Sequence, residues 1–178
     1  MCSIIGYFGH DEAAPTLVRG LGRMEYRGYD SVGIATGSNN KLTIKKGVGK
    51  VSEVNTNLGL DQLHGSIGIG HTRWATHGKV TTKNAHPHLS NSGKIAIVHN
   101  GIIENFEELK SNLQNKGYKF QSETDTEVIA NLIQLNFDET SDIKQSIMKT
   151  VADLKGHYSF VVIFEDGTLA AARFHEPL

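Results

Sequence analysis

The order of apolar and polar positions along the chain predicts strands first, then helices, then strands again. An alternating or continuous apolar run indicates a strand, and a repeat close to the helical period indicates a helix. The strands predicted in this way cover 3–8, 32–36, 42–46, 67–70, 95–98, 158–164 and 169–172. The predicted helices cover 12–25 and three segments that begin near Phe106, Val128 and Ile143. Residues 50–63 are ambiguous between the two patterns.

This order favours an α+β fold in which helices and strands form separate layers. Consecutive helices precede the last pair of strands, which does not fit the regular alternation of a βαβ fold. We therefore expect helices packed on largely antiparallel sheets. The chain stops at "FHEPL", directly after a predicted strand, so we expect the fold to be truncated at its C-terminal end.

Composition and charge narrow the class of protein. The 178 residues suffice for one domain, and 18 basic against 19 acidic residues give a formal net charge of -1. Basic residues do not cluster, so we expect neither a nucleic-acid partner nor a membrane partner. The apolar runs are too short to span a bilayer, and the first basic residue is Arg19, which argues against a signal peptide. We expect a cytoplasmic protein.

The single cysteine, Cys2, directly follows the initiator methionine, and one cysteine excludes an internal disulfide. Removal of Met1 would leave a thiol and a free α-amine on the same residue. An α-amine titrates near ~7.7–8.0 and a thiol near ~8.5, so the amine is suited to act as the base for its own thiol. The alternative interpretation is a small apolar residue near the chain terminus, without a chemical role.

The segment "GHTRWATHG" (70–78) follows a predicted strand and offers groups for binding an anion. Arg73 presents a planar fork that pairs bidentately with a carboxylate. Thr76 and His77 could donate to the same anion, and Trp74, the only tryptophan, lies beside the arginine. A surface loop in which Arg73 pairs with an acidic residue of the protein fits the same pattern equally well.

Asn100 and Gly101 stand between an apolar strand and a helical pattern, so the hairpin that Asn-Gly normally indicates does not fit. We expect a strand that ends in a tight bend, where the Asn100 amide and the Gly101 N–H form an oxyanion hole. Glycine suits this position because a Cβ would obstruct close approach of the backbone. Loss of one such donor typically lowers a rate by about 10²–10³-fold.

Three other sets of polar residues allow more than one interpretation. Asp125, at the first turn of a predicted helix, could complement the helix dipole or reach outward to a substrate ammonium. Arg27 lies between two tyrosines in "EYRGYDSVG", which by itself indicates a turn. His86 and His88, with two earlier histidines, suggest a metal, but no recognised ligand spacing is present. We therefore expect hydrogen-bonding histidines and no metal or other cofactor.

Taken together, these segments resemble one family. "MCSIIGY", "MEYRGYDSVGIA", "GIGHTRWATHG", "NAHPH", "VHNGIIENFEEL" and "SETDTEVIA" are similar, in order and spacing, to the glutaminase domain of the glutamine–fructose-6-phosphate aminotransferases (isomerizing), or glucosamine-6-phosphate synthases. These belong to the class II glutamine amidotransferases. The resemblance runs from Met1 to the last predicted strand. It implies the N-terminal-nucleophile hydrolase fold, an αββα sandwich of two stacked, mostly antiparallel sheets flanked by helices.

The resemblance also implies a reaction and a role for each candidate residue. Cys2 would attack the side-chain amide of L-glutamine, a γ-glutamyl thioester would form, ammonia would leave, and water would release glutamate. Asn100 and Gly101 would form the oxyanion hole, and Arg27 would support the nucleophile. The α-carboxylate of glutamine would be bound by Arg73, Thr76 and His77, and its α-ammonium would be bound by Asp125. Trp74 would gate the ammonia.

Two features depart from the family pattern. Ser3 stands where the family usually has glycine, and its Cβ could crowd the thiol. The chain ends at "HEPL", where the family has a "GSPL"-like segment followed by further elements and by sugar-isomerase domains. We therefore expect residues 1–178 to be an incomplete glutaminase domain whose sugar-isomerase domain or subunit is absent from this chain. A homo-oligomer stays open, and so does a glutamine-binding or docking module with weak or no catalysis.

Overall fold

The computed structural model describes residues 2–74 and 79–178. In chain order the elements are β1 (Ser3–Phe8), α1 (Ala13–Met24), a 3₁₀ turn (Glu25–Arg27), β2 (Ser31–Ser38), β3 (Lys41–Val48), α2 (Val51–Leu58), a second 3₁₀ turn (Leu60–Gln62), β4 (Ile67–Arg73), β5 (His88–Leu89), β6 (Ile95–Ile103), α3 (Phe106–Asn115), α4 (Thr126–Thr140), α5 (Ile143–Asp153), β7 (Gly156–Phe164) and β8 (Leu169–Phe174). Among the described residues, no helix is both long and apolar enough to cross a membrane.

The strands form two four-stranded sheets, with the orders β1-β4-β2-β3 and β5-β6-β7-β8. Every neighbouring pair of these strands is antiparallel. In the first sheet Ser3 lies opposite Thr72, which places the start of β1 beside the end of β4. In the second sheet β6 pairs with β7 along its whole length, from Ile95 to Ile103.

Three hydrophobic clusters separate four layers. Ile69 and Val98 belong to the cluster between the two sheets. Leu17 of α1 and Val54 of α2 pack on the outer face of the first sheet. Ile129 of α4 belongs to the cluster on the outer face of the second sheet, with residues of α3 and α5. Since both faces of each sheet are covered, the expected αββα sandwich is confirmed.

Two segments differ from the pattern-based expectation. Residues 50–63, which are ambiguous in the sequence, form α2 and the second 3₁₀ turn. The bend expected at Asn100 and Gly101 is wrong, because β6 continues through both residues to Ile103. Gly101 lies opposite Tyr158 in this ladder and adopts a φ of +113°, which favours glycine. Both residues therefore belong to the regular strand β6 and lie near its C-terminal end.

Candidate active site

A cavity of about 490 Å³ lies where the start of β1 meets the ends of β4 and β6 and the turn before α4. Seven of the nine predicted site residues line it, namely Cys2, Arg27, Arg73, Trp74, Asn100, Gly101 and Asp125. The other two, Thr76 and His77, lie outside the described residues. Motifs that are far apart in the chain therefore meet at one cavity.

Cys2 is half-buried at the start of β1, and its sulfur faces the backbone of Trp74. The Trp74 N–H donates to Cys2 Sγ over 3.2 Å, and the Cys2 thiol lies 3.6 Å from the Trp74 carbonyl oxygen. The backbone that follows β4 therefore holds the sulfur at the cavity. Met1, whose removal would free the Cys2 α-amine, lies outside the described residues.

Gly28 allows the turn that carries Arg27 to approach the end of β4. A Cβ on Gly28 would lie 2.9 Å from the carbonyl carbon of Arg73 and 3.0 Å from the Trp74 nitrogen, which is too close for real side-chain contacts. The chain then continues to Asp30, whose N–H donates to the Arg73 carbonyl over 3.0 Å. The close approach explains why glycine follows Arg27, and it brings Arg27 to the cavity that Cys2 lines.

Arg73 is the last residue of β4, and only 6% of its surface is exposed. Its Nη1 donates to the Lys79 carbonyl oxygen over 3.4 Å. Burial lowers the pKa of the guanidinium, while the negative charges of Cys2, Asp30 and Asp125 oppose that shift. A guanidinium remains protonated in proteins. The cavity is therefore lined by a buried, positively charged residue, which suits the binding of a carboxylate.

Asn100 brings its amide close to the nucleophile from the opposite sheet. Its Nδ2 lies 3.5 Å from the Cys2 carbonyl oxygen, which it faces as a donor. Its Oδ1 lies 2.9 Å from His71 Nε2. Gly101 follows at the exposed edge of the same cavity. An amide donor near the nucleophile suits stabilisation of a negatively charged oxygen.

Asp125 immediately precedes the first residue of α4 and connects that helix to β6. Its Oδ2 accepts from the Ile103 N–H over 2.9 Å, and its Oδ1 lies 3.8 Å from His99 Nδ1. The side chain lines the cavity and is partly exposed. A carboxylate has several acceptor positions, so Asp125 can hold β6 and still accept from a substrate ammonium.

Four buried histidines lie beside the cavity and between the layers. They are His71, His86, His88 and His99. Thr126 Oγ1 lies within hydrogen-bonding distance of two of these rings, and Thr124 Oγ1 lies 3.1 Å from a third. Burial lowers the pKa of all four, to about 3 for His71, so the rings are neutral near pH 7. Among the described residues, no group of three or more His, Cys, Asp or Glu side chains is arranged to hold a metal.

Other residues that line the cavity were not singled out from the sequence. Glu123 lies on the turn before α4 and exchanges two hydrogen bonds with Asn84, at 3.0 and 3.1 Å. Glu176 accepts from His157 Nδ1 over 2.8 Å, and residues 176–178 close one side of the cavity. Glu176 belongs to the "HEPL" segment, which departs from the family's "GSPL"-like pattern, so the family motif gives no role for it.

Comparison with known proteins agrees with this geometry. A sequence profile for the glutamine amidotransferase domain matches residues 71–176. A glutamine–fructose-6-phosphate aminotransferase (isomerizing) from Pyrococcus horikoshii is 52% identical over 180 residues, covering 100% of this chain and 30% of the relative. The corresponding protein of Aquifex aeolicus is 52% identical over 163 residues, covering 92% and 27%. The chain thus spans less than a third of the length of these curated relatives.

Solved structures show the same fold. Glutamine phosphoribosylpyrophosphate amidotransferase from B. subtilis, solved with ADP and GMP, has a TM-score of 0.79 and 34% identity, covering 93% of this chain and 35% of that one. An allosteric regulatory enzyme of purine biosynthesis has a TM-score of 0.81 and 36% identity, covering 93% and 36%. The sandwich is therefore shared with enzymes whose chains are considerably longer than this one.

Proposed function

Because this chain belongs to the glutamine amidotransferase domain family, we propose that it hydrolyses L-glutamine to glutamate and ammonia through a γ-glutamyl thioester on Cys2. One observation carries most of this proposal. The only cysteine stands at the second position of the chain, and its thiol lies in the cavity that also contains the Asn100 amide and the Arg73 guanidinium. A nucleophile, an oxyanion donor and a carboxylate-binding cation are thereby combined.

The reaction begins once Met1 is removed and Cys2 carries a free α-amine. The amine takes the thiol proton, and the sulfur attacks the side-chain amide carbon of glutamine. The tetrahedral oxygen becomes negative and is stabilised by Asn100 Nδ2 and the Gly101 N–H. The carbon–nitrogen bond breaks as the amine returns its proton to the leaving ammonia. Water then attacks the thioester, glutamate leaves, and the sulfur recovers a proton.

Recognition of the amino-acid end of glutamine is assigned to the charged residues of the cavity. Arg73 pairs with the α-carboxylate, with Thr76 and His77 as additional donors. Asp125 accepts from the α-ammonium, since its carboxylate lies at the cavity and retains free acceptor positions. The substrate offers one anion, one cation and one amide, and each has a partner of matching chemistry.

Two residues of the cavity mouth receive supporting roles. Trp74 is 42% exposed, its ring stands edge-on to Tyr29 at 5.3 Å, and we assign it the gating of ammonia. Arg27 lies next to the close approach at Gly28 and supports the nucleophile.

We further propose that the ammonia is used, in the cytoplasm, by a sugar-isomerase domain or subunit that converts fructose 6-phosphate to glucosamine 6-phosphate. This proposal is supported by curated relatives that are named glutamine–fructose-6-phosphate aminotransferases (isomerizing), of which this chain spans about 30%.

The test compares the Met1-free protein with its Cys2→Ala variant. We expect glutamate release by the first and none by the second, while calorimetry shows glutamine binding by both, because Arg73 and Asp125 remain. Release of glutamate by Cys2→Ala would contradict the proposed nucleophile.

The same protein can be used to test the alternative of a binding module. A thiol-directed glutamine analogue should label Cys2 in the Met1-free protein, as intact mass reports. Binding of glutamine without labelling and without turnover would favour a glutamine-binding or docking module instead.

A further inference from the structure

His71 joins the two sheets at the point where the proposed oxyanion hole forms. It lies on β4, opposite Ile4 of β1, so it belongs to the sheet that carries the nucleophile. Its Nε2 lies 3.1 Å from the His99 carbonyl oxygen and 2.9 Å from Asn100 Oδ1, both on β6 of the other sheet. One ring nitrogen therefore bridges the two sheets.

The backbone determines which nitrogen of His71 carries the proton. A carbonyl oxygen can only accept, so the Nε2 atom facing the His99 carbonyl must be the protonated one. Burial of the ring keeps it neutral, with a pKa lowered to about 3, so Nδ1 carries no proton. The ring is stacked on His86 at 4.1 Å between centroids, which restrains its rotation.

The same proton determines how the Asn100 amide is turned. The atom of that amide that faces an N–H donor must be its oxygen, Oδ1. The other atom, Nδ2, then faces Cys2, where it lies 3.5 Å from the carbonyl oxygen. If the amide were reversed, its NH₂ group would face the Nε2–H of His71, and its oxygen would face the Cys2 carbonyl. Both contacts would be repulsive.

We propose that His71 is a positioning residue. It holds the Asn100 amide with its Nδ2 donor toward the side-chain carbonyl of glutamine, and it fixes the sheet that contains β1 and β4 against the sheet that contains β6. This inference rests on the proposed function, in which Asn100 stabilises the tetrahedral oxygen. Without the ring nitrogen, the amide can rotate, and its donor leaves the position that transition-state stabilisation needs. The effect belongs to the chemical step, since Arg73 and Asp125 bind the ends of glutamine independently of His71.

Steady-state glutamine hydrolysis by the Met1-free protein tests the inference with three variants of His71. His71→Leu removes the donor. His71→Gln places an amide N–H near the former Nε2, whereas His71→Asn is too short to reach Asn100. We expect kcat to fall by about 10- to 100-fold in the Leu and Asn variants with a nearly unchanged KM, and the Gln variant to recover part of the loss. His88→Leu is the matched control, because it removes another buried ring that bonds a threonine hydroxyl.

The outcomes separate this inference from the proposed function. Alkylation of Cys2 by iodoacetamide, which needs no oxyanion hole, should proceed at the same rate in all variants, and circular dichroism should show that all of them are folded. An active wild type with an equally fast His71→Leu variant would overturn the inference alone, as would equal losses in His71→Leu and His88→Leu. A Gln variant no faster than the Asn variant would also overturn it. A Met1-free wild type that releases no glutamate would overturn the proposed function, and the inference with it.

Discussion

Cys2 and Ser3 are neighbours in the chain, but their side chains lie in different environments, as successive positions of a strand do. Cys2 lines the cavity, whereas Ser3 is buried and does not line it. The Ser3 hydroxyl donates to the Met24 carbonyl oxygen at the end of α1 over 3.2 Å. The side chain therefore faces the helix layer and does not line the cavity that Cys2 lines. Ser3 attaches the start of β1 to α1.

This position leads to a prediction for Ser3→Ala. Loss of the hydrogen bond to Met24 should lower the free energy of unfolding by about 1 kcal/mol, as measured by urea denaturation. The kcat and KM for glutamine should stay at the wild-type values, because the hydroxyl bonds the Met24 carbonyl oxygen and Ser3 does not line the cavity. A reduced kcat in a variant of unchanged stability would show that Ser3 acts on the nucleophile after all.

We expect Arg73 to bind the α-carboxylate of glutamine through the planar shape of its guanidinium as well as through its charge. Arg73→Lys keeps the positive charge but cannot form two parallel hydrogen bonds with a carboxylate. We expect the KM for glutamine to rise by about 10- to 100-fold, the equivalent of one charge-assisted hydrogen bond. Arg19→Lys, on the exposed face of α1, is the control and should leave the KM unchanged. An unchanged KM in Arg73→Lys would contradict the assignment of the α-carboxylate.

At the scale of the element, the spacing of apolar residues predicts most strands and helices, because apolar side chains lie on the faces that are buried. It fails where pairing with a distant strand overrides a local signal. Asn-Gly normally indicates a turn, yet at Asn100 and Gly101 pairing with β7 continues the strand. The two-residue strand β5 likewise exists through its pairing with β6, and so short a segment has no spacing to detect.

Gly101 gives a prediction at this scale. A Cβ there would overlap the His157 carbonyl oxygen, and the φ of +113° adds strain. Gly101→Ala should therefore disturb the β6–β7 ladder, lower kcat and reduce stability by more than the strain alone, which is about 1–3 kcal/mol. Gly93→Ala is the control, because Gly93 also has a positive φ, of +76°, but its Cβ would meet nothing within 4 Å. Equal effects of the two substitutions would contradict a steric requirement at Gly101.

At the scale of the whole molecule, the residue types of the site are predictable from the sequence, but their connections are not. Cys2, Arg73 and Asp125 were expected at one site because the family resemblance implies it, and all three line one cavity. The contact between His71 and Asn100 could not, since the two residues are 29 positions apart and lie in different sheets. Whether a histidine in a strand acts as a metal ligand, a core residue or a positioning residue depends on how the sheets pack.

The four buried histidines predict how stability depends on pH. Unfolded, each ring binds a proton below its ordinary pKa of about 6.5, whereas burial keeps the folded rings neutral to lower pH. The unfolded chain thus binds more protons below pH 6.5, so stability is complete above that pH and is lost as the pH falls, in the case of His71 down to about pH 3. The loss should approach about 1.4 kcal/mol per pH unit for each histidine.

Urea unfolding between pH 7.5 and pH 5 checks this expectation. The free energy of unfolding should decrease toward pH 5. The His88→Gln variant should show a shallower decrease, because one fewer buried ring remains to be protonated on unfolding. A pH-independent unfolding free energy over this range would contradict the burial of neutral histidines.

The central claim is that the thiol and the α-amine of Cys2 act together at the chain terminus. Its most direct test is glutamate release by two preparations of the same sequence, one with Met1 removed and one with Met1 retained, each verified by intact mass. We predict hydrolysis by the Met1-free protein and none by the protein that retains Met1, because its Cys2 nitrogen is an amide and cannot act as the base. Equal hydrolysis by both preparations would contradict the account.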